Sequence, residues 1–574
     1  MVNGIKSDDI SKFIYLYSRV RLLSHNALSL KYLGFLLVLL CFSTEIVSQS
    51  INTDFGKNRV QYHDDFKYWN RYETQNFITY WYGKARNIAE PVIQMAELDH
   101  DDIQNVMEHR TNNKIEIIVY TDVSDLKQSN IGLEEIFYSN SGETKIVGNK
   151  MFVYFDGNHN NLRQQIREGI ASVYLNSMLF GDDFQEMVQN AVLLDLPEWY
   201  KKGIISYNGS YWDHLKDDEL RDIFFKDEKY KNFEKLSEDF PKIAGHSMWF
   251  FIDQTYGKST ISNLLYITRI TRSIENALLY VLNIDFQQLQ TQWLRYYEQH
   301  YSDEEGNFTD DSGSLLNLAN KPEVPVSTFK ISPDGSKLVY AYNKIGKYRI
   351  VIQDLKSGER KTVFKYGHKN ALQETDFNYP LVAWHPNSKE ISFIYEHKDV
   401  IKLQKYSLET EEYEEQIIPT SFQRIYSFDY LDEFDYIFSA NTNGYSDLYK
   451  YRSKSRQFEA ITEDFYDDLD AQVVILDGVK GILFSSNRKR DHIFKIEYDT
   501  ILPDGQFDIF FYDLERDDKS VKRITKTDEV SERYPYLTGN NKIVYLSSAS
   551  GITNRYVISP VSASSYFSVS NKSR

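Results

Sequence analysis

The sequence predicts a multidomain protein, an α+β domain followed by an all-β propeller, and three observations predict it. Strand and helix patterns mix between Asp65 and about His300, the second half of that stretch being mostly helical. After Pro325 the chain becomes a repeat of short strands joined by tight turns. Between the two lies an acidic, turn-rich stretch without periodicity. The length of 574 residues is enough for two or three domains with cores of their own. Aromatic content of 15%, with only 12 Pro and 26 Gly, indicates β-rich globular chain rather than disorder. A net charge of -17 argues against nucleic acid as a partner, because phosphate binding needs clustered cations.

The chain opens on an N-terminal extension with a secretory pattern, over residues 1–48. Basic Arg19, Arg21 and Lys31 precede the apolar run Tyr32–Phe42, which is about a dozen residues long and too short to span a bilayer. Cleavage after Ser48 would leave Gln49 at the terminus. The single Cys, Cys41, lies in this leader, so the mature chain has no disulfide and no thiolate ligand. Leu40 stands where a lipobox wants a small residue. An uncleaved membrane anchor is the alternative, and a start site assigned too far upstream would explain the long segment before Lys31.

The α+β domain is expected over 49–301. Asn76–Tyr82 alternates as a strand, and residues 85–106 place Ile88, Val92, Met95 and Ala96 at helical spacing. Lys114–Tyr120 and Lys150–Phe155 are the next strands. Helices are expected over Gln164–Leu179 and Phe184–Leu194, then from Pro197. Short helices follow at Leu220–Phe225 and Phe233–Leu236, and longer ones at Ala244–Tyr256, Ser259–Arg272 and Phe286–His300. The linker, 302–325, carries Asp303-Glu-Glu-Gly-Asn-Phe-Thr-Asp-Asp-Ser-Gly313. It lacks the ligand spacing of an EF-hand loop and is a solvated connector.

The repeat fills 326–574. Its first unit is Phe329-Lys-Ile-Ser-Pro-Asp-Gly-Ser-Lys-Leu-Val-Tyr-Ala-Tyr342, a strand, a turn and a strand. Pro333 sets φ at the turn and Gly335 takes positive φ. Strands Tyr348–Asp354 and Arg360–Phe364 complete it. Copies recur at Val382–Ile394, near Tyr426, near Ala471 and at Tyr534–Ser548. A period of about 45 to 60 residues is that of a four-stranded blade. About five blades fit, and the last is ragged, ending in Ser-rich sequence without strand alternation. An open or incomplete propeller with an exposed edge over 550–574 is therefore expected, the chain being a fragment of a longer protein.

One stretch carries a chemical signature. Gln164-Gln-Ile-Arg-Glu-Gly-Ile-Ala-Ser-Val-Tyr-Leu175 is followed by Leu196-Pro-Glu-Trp-Tyr-Lys-Lys-Gly-Ile-Ile-Ser-Tyr207 and then by Ala244-Gly-His-Ser-Met-Trp-Phe-Phe-Ile-Asp-Gln-Thr-Tyr-Gly257. The three resemble the active-site helices of gluzincin (peptidase MA) zinc peptidases, whose first helix reads His-Glu-x-x-His and whose second supplies a third ligand before a Gly. Carried onto this chain, the two His positions are Arg167 and Ala171, the general base is Glu168, and the third ligand is Lys202. Arg cannot lose its proton to bind a metal, and Ala has no donor atom. The resemblance thus implies a vestigial site: no catalytic residue, no metal, no cofactor. Trp199 and His246 are expected beside the old cleft. Glu168 is expected either to pair with Arg167 or Lys202, or to be an ordinary solvated helix residue.

The Ser-Pro-Asp-Gly turn of the repeat resembles TolB-type blades. The whole chain resembles Bacteroidetes-type envelope proteins that join a degenerate gluzincin-like domain to such a propeller. That resemblance implies an exported, non-catalytic binding or scaffold protein. It would sit in the periplasm or at the outer membrane, with protein partners and a possible place in outer-membrane export or surface assembly. The competing class is a hydrolase with non-standard ligands, which would have to recruit His159, His214 or His246.

Overall fold

A computed structural model of the chain describes residues 64–559 and 568–569, except 84, 112, 129–143, 182–195, 303–317, 319–323, 370–374, 443, 494–501, 503, 517–518 and 528. The secretory pattern with Cys41, the helix expected over Phe184–Leu194, nearly all of the linker and most of the Ser-rich tail lie outside the described residues. Among the described residues no helix is long and apolar enough to cross a membrane.

The first domain opens on a five-stranded sheet: β1 (Trp69–Glu73), β2 (Phe77–Tyr82), β3 (Ile115–Tyr120), β4 (Lys145–Val147) and β5 (Lys150–Tyr154), in the order β1-β2-β3-β5-β4. Strands β2, β3 and β5 are parallel, and β1 and β4 close the edges antiparallel. Helix α1 (Arg86–Met107) makes the crossover from β2 to β3, and the short α2 (Val123–Lys127) follows β3. The Ile-Glu-Ile-Ile-Val-Tyr run of β3 is buried almost throughout because both its faces are covered. Ile115, Ile117 and Val119 join the helical core, while Ile118 and Tyr120 join Phe66, Tyr82 and Phe152 on the other side.

The helices that follow are α3 (His159–Phe180), α4 (Glu198–Gly209), α5 (His214–Lys226), α6 (Phe233–Asp239), α7 (Pro241–Tyr256), α8 (Ser259–Thr271), α9 (Ile274–Leu282) and α10 (Phe286–Ser302). Side-chain caps start several of them. Asn158 accepts from Asn160 N, Asp213 from Lys216 N, Asn232 from Lys235 N and Ser273 from Asn276 N. Pro241 opens α7 at its first turn, where a missing N–H is harmless. Several expectations shift, two of them by a visible cause. Helix α3 begins at His159, ahead of Gln164, and the unexpected α9 separates from α8 through Arg272 in the left-handed region.

The second half is five antiparallel sheets, each of four consecutive strands. Blade 1 is β6 (Val326–Ile331), β7 (Lys337–Lys344), β8 (Lys347–Asp354) and β9 (Arg360–Tyr366). Blade 2 is β10 (Leu381–Trp384), β11 (Glu390–His397), β12 (Val400–Ser407) and β13 (Tyr413–Ile417). Blade 3 is β14 (Arg424–Tyr430), β15 (Asp435–Asn441), β16 (Ser446–Arg452) and β17 (Gln457–Ala460). Blade 4 is β18 (Asp468–Leu476), β19 (Val479–Ser486), β20 (Asp508–Asp513) and β21 (Val521–Arg523). Blade 5 is β22 (Glu532–Leu537), β23 (Ile543–Ser547), β24 (Asn554–Ser559) and β25 (Ser568–Val569). The last blade, expected to be ragged, has all four strands, although its outermost strand is two residues long.

Successive blades share apolar cores. Val339 and Ile350 meet Trp384 and Phe393; Ile394 and Leu403 meet Phe428 and Phe438. Ile437 and Leu448 meet Ile482 and Phe510; Leu483 and Ile509 meet Ile543 and Tyr545. The free edges of the innermost strands are laced by side chains from the neighbouring blade. Ser427 Oγ accepts from Ala471 N, Asp429 Oδ2 from Val473 N, and Gln472 Oε1 from Leu537 N. Among the described residues, no strand is exchanged and no core cluster is shared between blades 1 and 5. Their innermost strands leave Phe329 69% and Tyr536 47% exposed.

Candidate functional site

Helices α4 and α7 pack closely because two glycines let their backbones touch. A Cβ on Gly203 would overlap the backbone of Gly245, and one on Gly245 would overlap the carbonyl of Trp199. That approach lets Trp249 donate its indole N–H to Tyr200 O at 3.1 Å. It also brings His246 Nδ1 to 2.8 Å from Ser206 Oγ.

Glu168 lies on α3 at this crossing and is fully buried. Its Oε1 accepts from Lys242 Nζ at 2.9 Å and from Gln164 Nε2 at 3.0 Å. The solvated reading of Glu168 is thus overturned, and the cation on its Oε1 is neither Arg167 nor Lys202. Lys242 sits one helical turn before His246 on α7, a distance of sequence that no helix-internal pattern could reveal. A Cβ on Gly209 would overlap Glu168 Cγ, so the carboxylate also depends on that glycine for its space.

Arg167 turns the other way. It donates from Nε to Asn208 O at 2.8 Å and pairs with Asp99 at 2.8 Å and Asp102 at 2.7 Å, both on α1. Lys202 lies 3.7 Å from Glu198 at the surface of α4. Ala171 is fully buried in the core. Trp199 is also a core residue rather than the wall of a cleft: its ring stacks on Phe286 at 5.7 Å and meets Phe233 edge-on. His246 is buried against the rings of Tyr207 and Trp212. Burial, with Lys216 and Lys242 nearby, holds its imidazole well below the usual histidine range, so it is neutral.

The histidines a non-standard hydrolase would need are not brought together. His159 opens α3 and is bound to Asp467 of the propeller at 2.7 Å, His214 opens α5, and His246 is on α7. Among the described residues the one group of three donors close enough to share a metal is Asp447, Asp464 and Asp468 in blades 3 and 4. Arg488 fills it, with Nη2 at 2.7 and 2.5 Å from the Asp468 oxygens and Nη1 at 3.2 Å from Asp464. Burial pushes Asp464 up to about 6 against this guanidinium.

Helix α3 also ties the domain to the propeller. Asp467 accepts from the His159 backbone N–H at 2.8 Å, Asn160 donates to Gly505 O at 2.8 Å, and Arg163 bridges Asp99 and Asp504. A second junction lies at the start of α2. Ser124 donates to Glu396 at 2.9 Å, and Arg424 pairs with Asp376 at 2.6 Å. A cavity of about 110 Å³ opens here, lined by Asp122, Asp125, Asp399 and Gln423 among others. None of these groups was singled out by the sequence. Their partners across the junction, such as Glu396 for Ser124, are hundreds of residues away, and an isolated Asp in a loop carries no signal.

No protein-family model matches this chain, and no curated protein does. Solved structures resemble its propeller half. TolB from Acinetobacter baumannii is 14% identical over 48% of this chain and 68% of its own, with a TM-score of 0.33. The propeller domain of the Trilobed protease from Pyrococcus furiosus is 13% identical over 43% and 82%, with a TM-score of 0.27. An acylaminoacyl peptidase from Pyrococcus horikoshii is 17% identical, covering 40% of this chain and 37% of that one, with a TM-score of 0.27. The five-bladed architecture rests on the chain's own sheets, not on these likenesses.

Proposed function

We propose that the chain is a non-catalytic binding or scaffold protein of the cell envelope, in which a vestigial gluzincin-like domain is fused to a TolB-type propeller. The observation that carries this reading is the Lys242–Glu168 pair. The ammonium lies 2.9 Å from the carboxylate that would have to activate a metal-bound water. A divalent cation beside it would face an ammonium, with no imidazole at the matching helical positions 167 and 171. The domain and propeller are instead joined through α3 as a single support. The apolar N-terminal run fits export, and five blades offer loops for a protein partner, with possible roles in outer-membrane export or surface assembly.

The test has two arms on the full chain. Cross-linking in envelope fractions followed by affinity purification is expected to recover the same protein partner in near-equal amount. Incubation with a peptide library and added zinc is expected to yield no cleavage. Cleavage that disappears in Glu168→Gln would refute the reading in favour of a hydrolase with unusual ligands.

A further inference from the structure

We propose that the junction between the first domain and blades 2 and 3 is a pH-sensitive latch, closed while its carboxyl groups share protons and loosened as they ionise. The contact is built from acids on both sides. The first domain contributes Asp122 and Asp125 at the N-terminus of α2; blade 2 contributes Glu396 at the end of β11 and Asp399 in the β11–β12 turn. Asp122 and Asp125 face Asp399 around one cavity of the junction, and Ser124 beside them donates to Glu396 at 2.9 Å. Carboxyl groups gathered around one buried cavity disfavour one another's charged form, so protons are retained there.

The rest of the surroundings makes full ionisation costly. Asp125 is 1% exposed and accepts from Tyr82, from Thr121 at 2.5 Å and from Gln128 at 3.0 Å. The cations in the surroundings are Arg424, Lys127 and Lys398. Arg424 is committed to Asp376 at 2.6 Å, stands 3.8 Å from Glu396 and lies over the ring of Tyr379. Lys127 acts on Asp376, while Lys398 is exposed beside Asp399. Arg424 and Asp156 both act on the buried Tyr426. Burial first, and the neighbouring carboxylates second, push Asp125 up to about 7, Glu396 up to about 8 and Asp399 up to about 9.

The sign follows from linkage. These three groups hold protons in the closed junction that they release, at the ordinary carboxylate pKa of about 4, once the junction opens. Their contribution to closure is therefore full below about pH 4 and declines as pH rises toward the closed-state values. Asp376 runs the other way. Burial opposes its charge, yet Arg424 and Lys127 hold it below its usual range, so its contribution is constant above about pH 4 and does not compensate.

Hydrogen exchange of the full chain tests the latch, with rates corrected for intrinsic pH dependence. Between about pH 6 and pH 9, protection of α2 and the β11–β12 turn should fall by at least about tenfold relative to β19, the equivalent of one pKa unit. Asp399→Asn and Glu396→Gln, neutral at every pH, should keep that protection at the alkaline end. Should one variant fail to fold, the other carries the comparison. Unchanged wild-type protection across this range, or a variant that loses protection as the wild type does, would overturn the proposal.

Discussion

Removing the ammonium from the buried pair gives the sharpest energetic prediction. Glu168 is 0% exposed and the Lys242 side chain 14%. Lys242→Met keeps most of the apolar stem but takes the ammonium from the buried carboxylate, with Gln164 Nε2 still donating at 3.0 Å. Breaking a buried pair by deleting one partner costs about 3–5 kcal/mol, and the surviving Gln164 bond favours the lower end. For a domain of this size that is a fall in Tm of roughly 6–20 °C. Six of the seven tryptophans precede residue 302, so intrinsic fluorescence reports this domain rather than the propeller. The double variant Lys242→Met, Glu168→Gln should recover most of the loss, because it removes the buried charge. If Lys242→Met melts within about 1 kcal/mol of wild type, the pair is screened like a surface salt bridge and the reasoning fails.

Other consequences can be read from the same helices. Gly245→Ala forces a methyl into the Trp199 carbonyl at the α4–α7 crossing and should cost about 3 kcal/mol, measured by urea unfolding, whereas Gly257→Ala, strained but with open space, should cost less. His246 should stay neutral in an NMR titration through the pH at which an exposed histidine protonates, and a midpoint near 6.5 would contradict its burial. Because the unfolded chain takes up a proton there that the folded domain refuses, this residue's contribution is present above about pH 6.5 and lost as pH falls.

Much of the architecture is written in local pattern. The Ser332-Pro-Asp-Gly335 turn is legible because it is closed by its own atoms: Gly335 N donates to Ser332 O at 2.8 Å, and Ser336 N to Asp334 at 3.0 Å. In the second blade His385-Pro-Asn-Ser388 makes the same turn with Ser388 in the left-handed region, so the repeat shows without its glycine. What the sequence conceals is set by distant partners. Helix α3 extends to His159 because Asp467, from blade 4's entry, binds that residue's N–H and imidazole. Strand β4, three residues long, exists only by pairing with β5. The helices that carry Glu168, Trp199 and His246 were legible in the sequence, but the partner of Glu168 was not. Arg167 and Lys202 are near in sequence and motif, yet Asp99 and Asp102 lie on α1 and draw Arg167 away, leaving Lys242 facing Glu168.

The central claim is that an internal ion pair has taken the place of a catalytic metal. Elemental analysis of the purified full chain, after incubation with one equivalent of zinc and desalting, tests it most directly. The account predicts substoichiometric zinc, unchanged in Glu168→Gln. About one zinc per chain, lost in Glu168→Gln or His246→Ala while the fold persists, would contradict it.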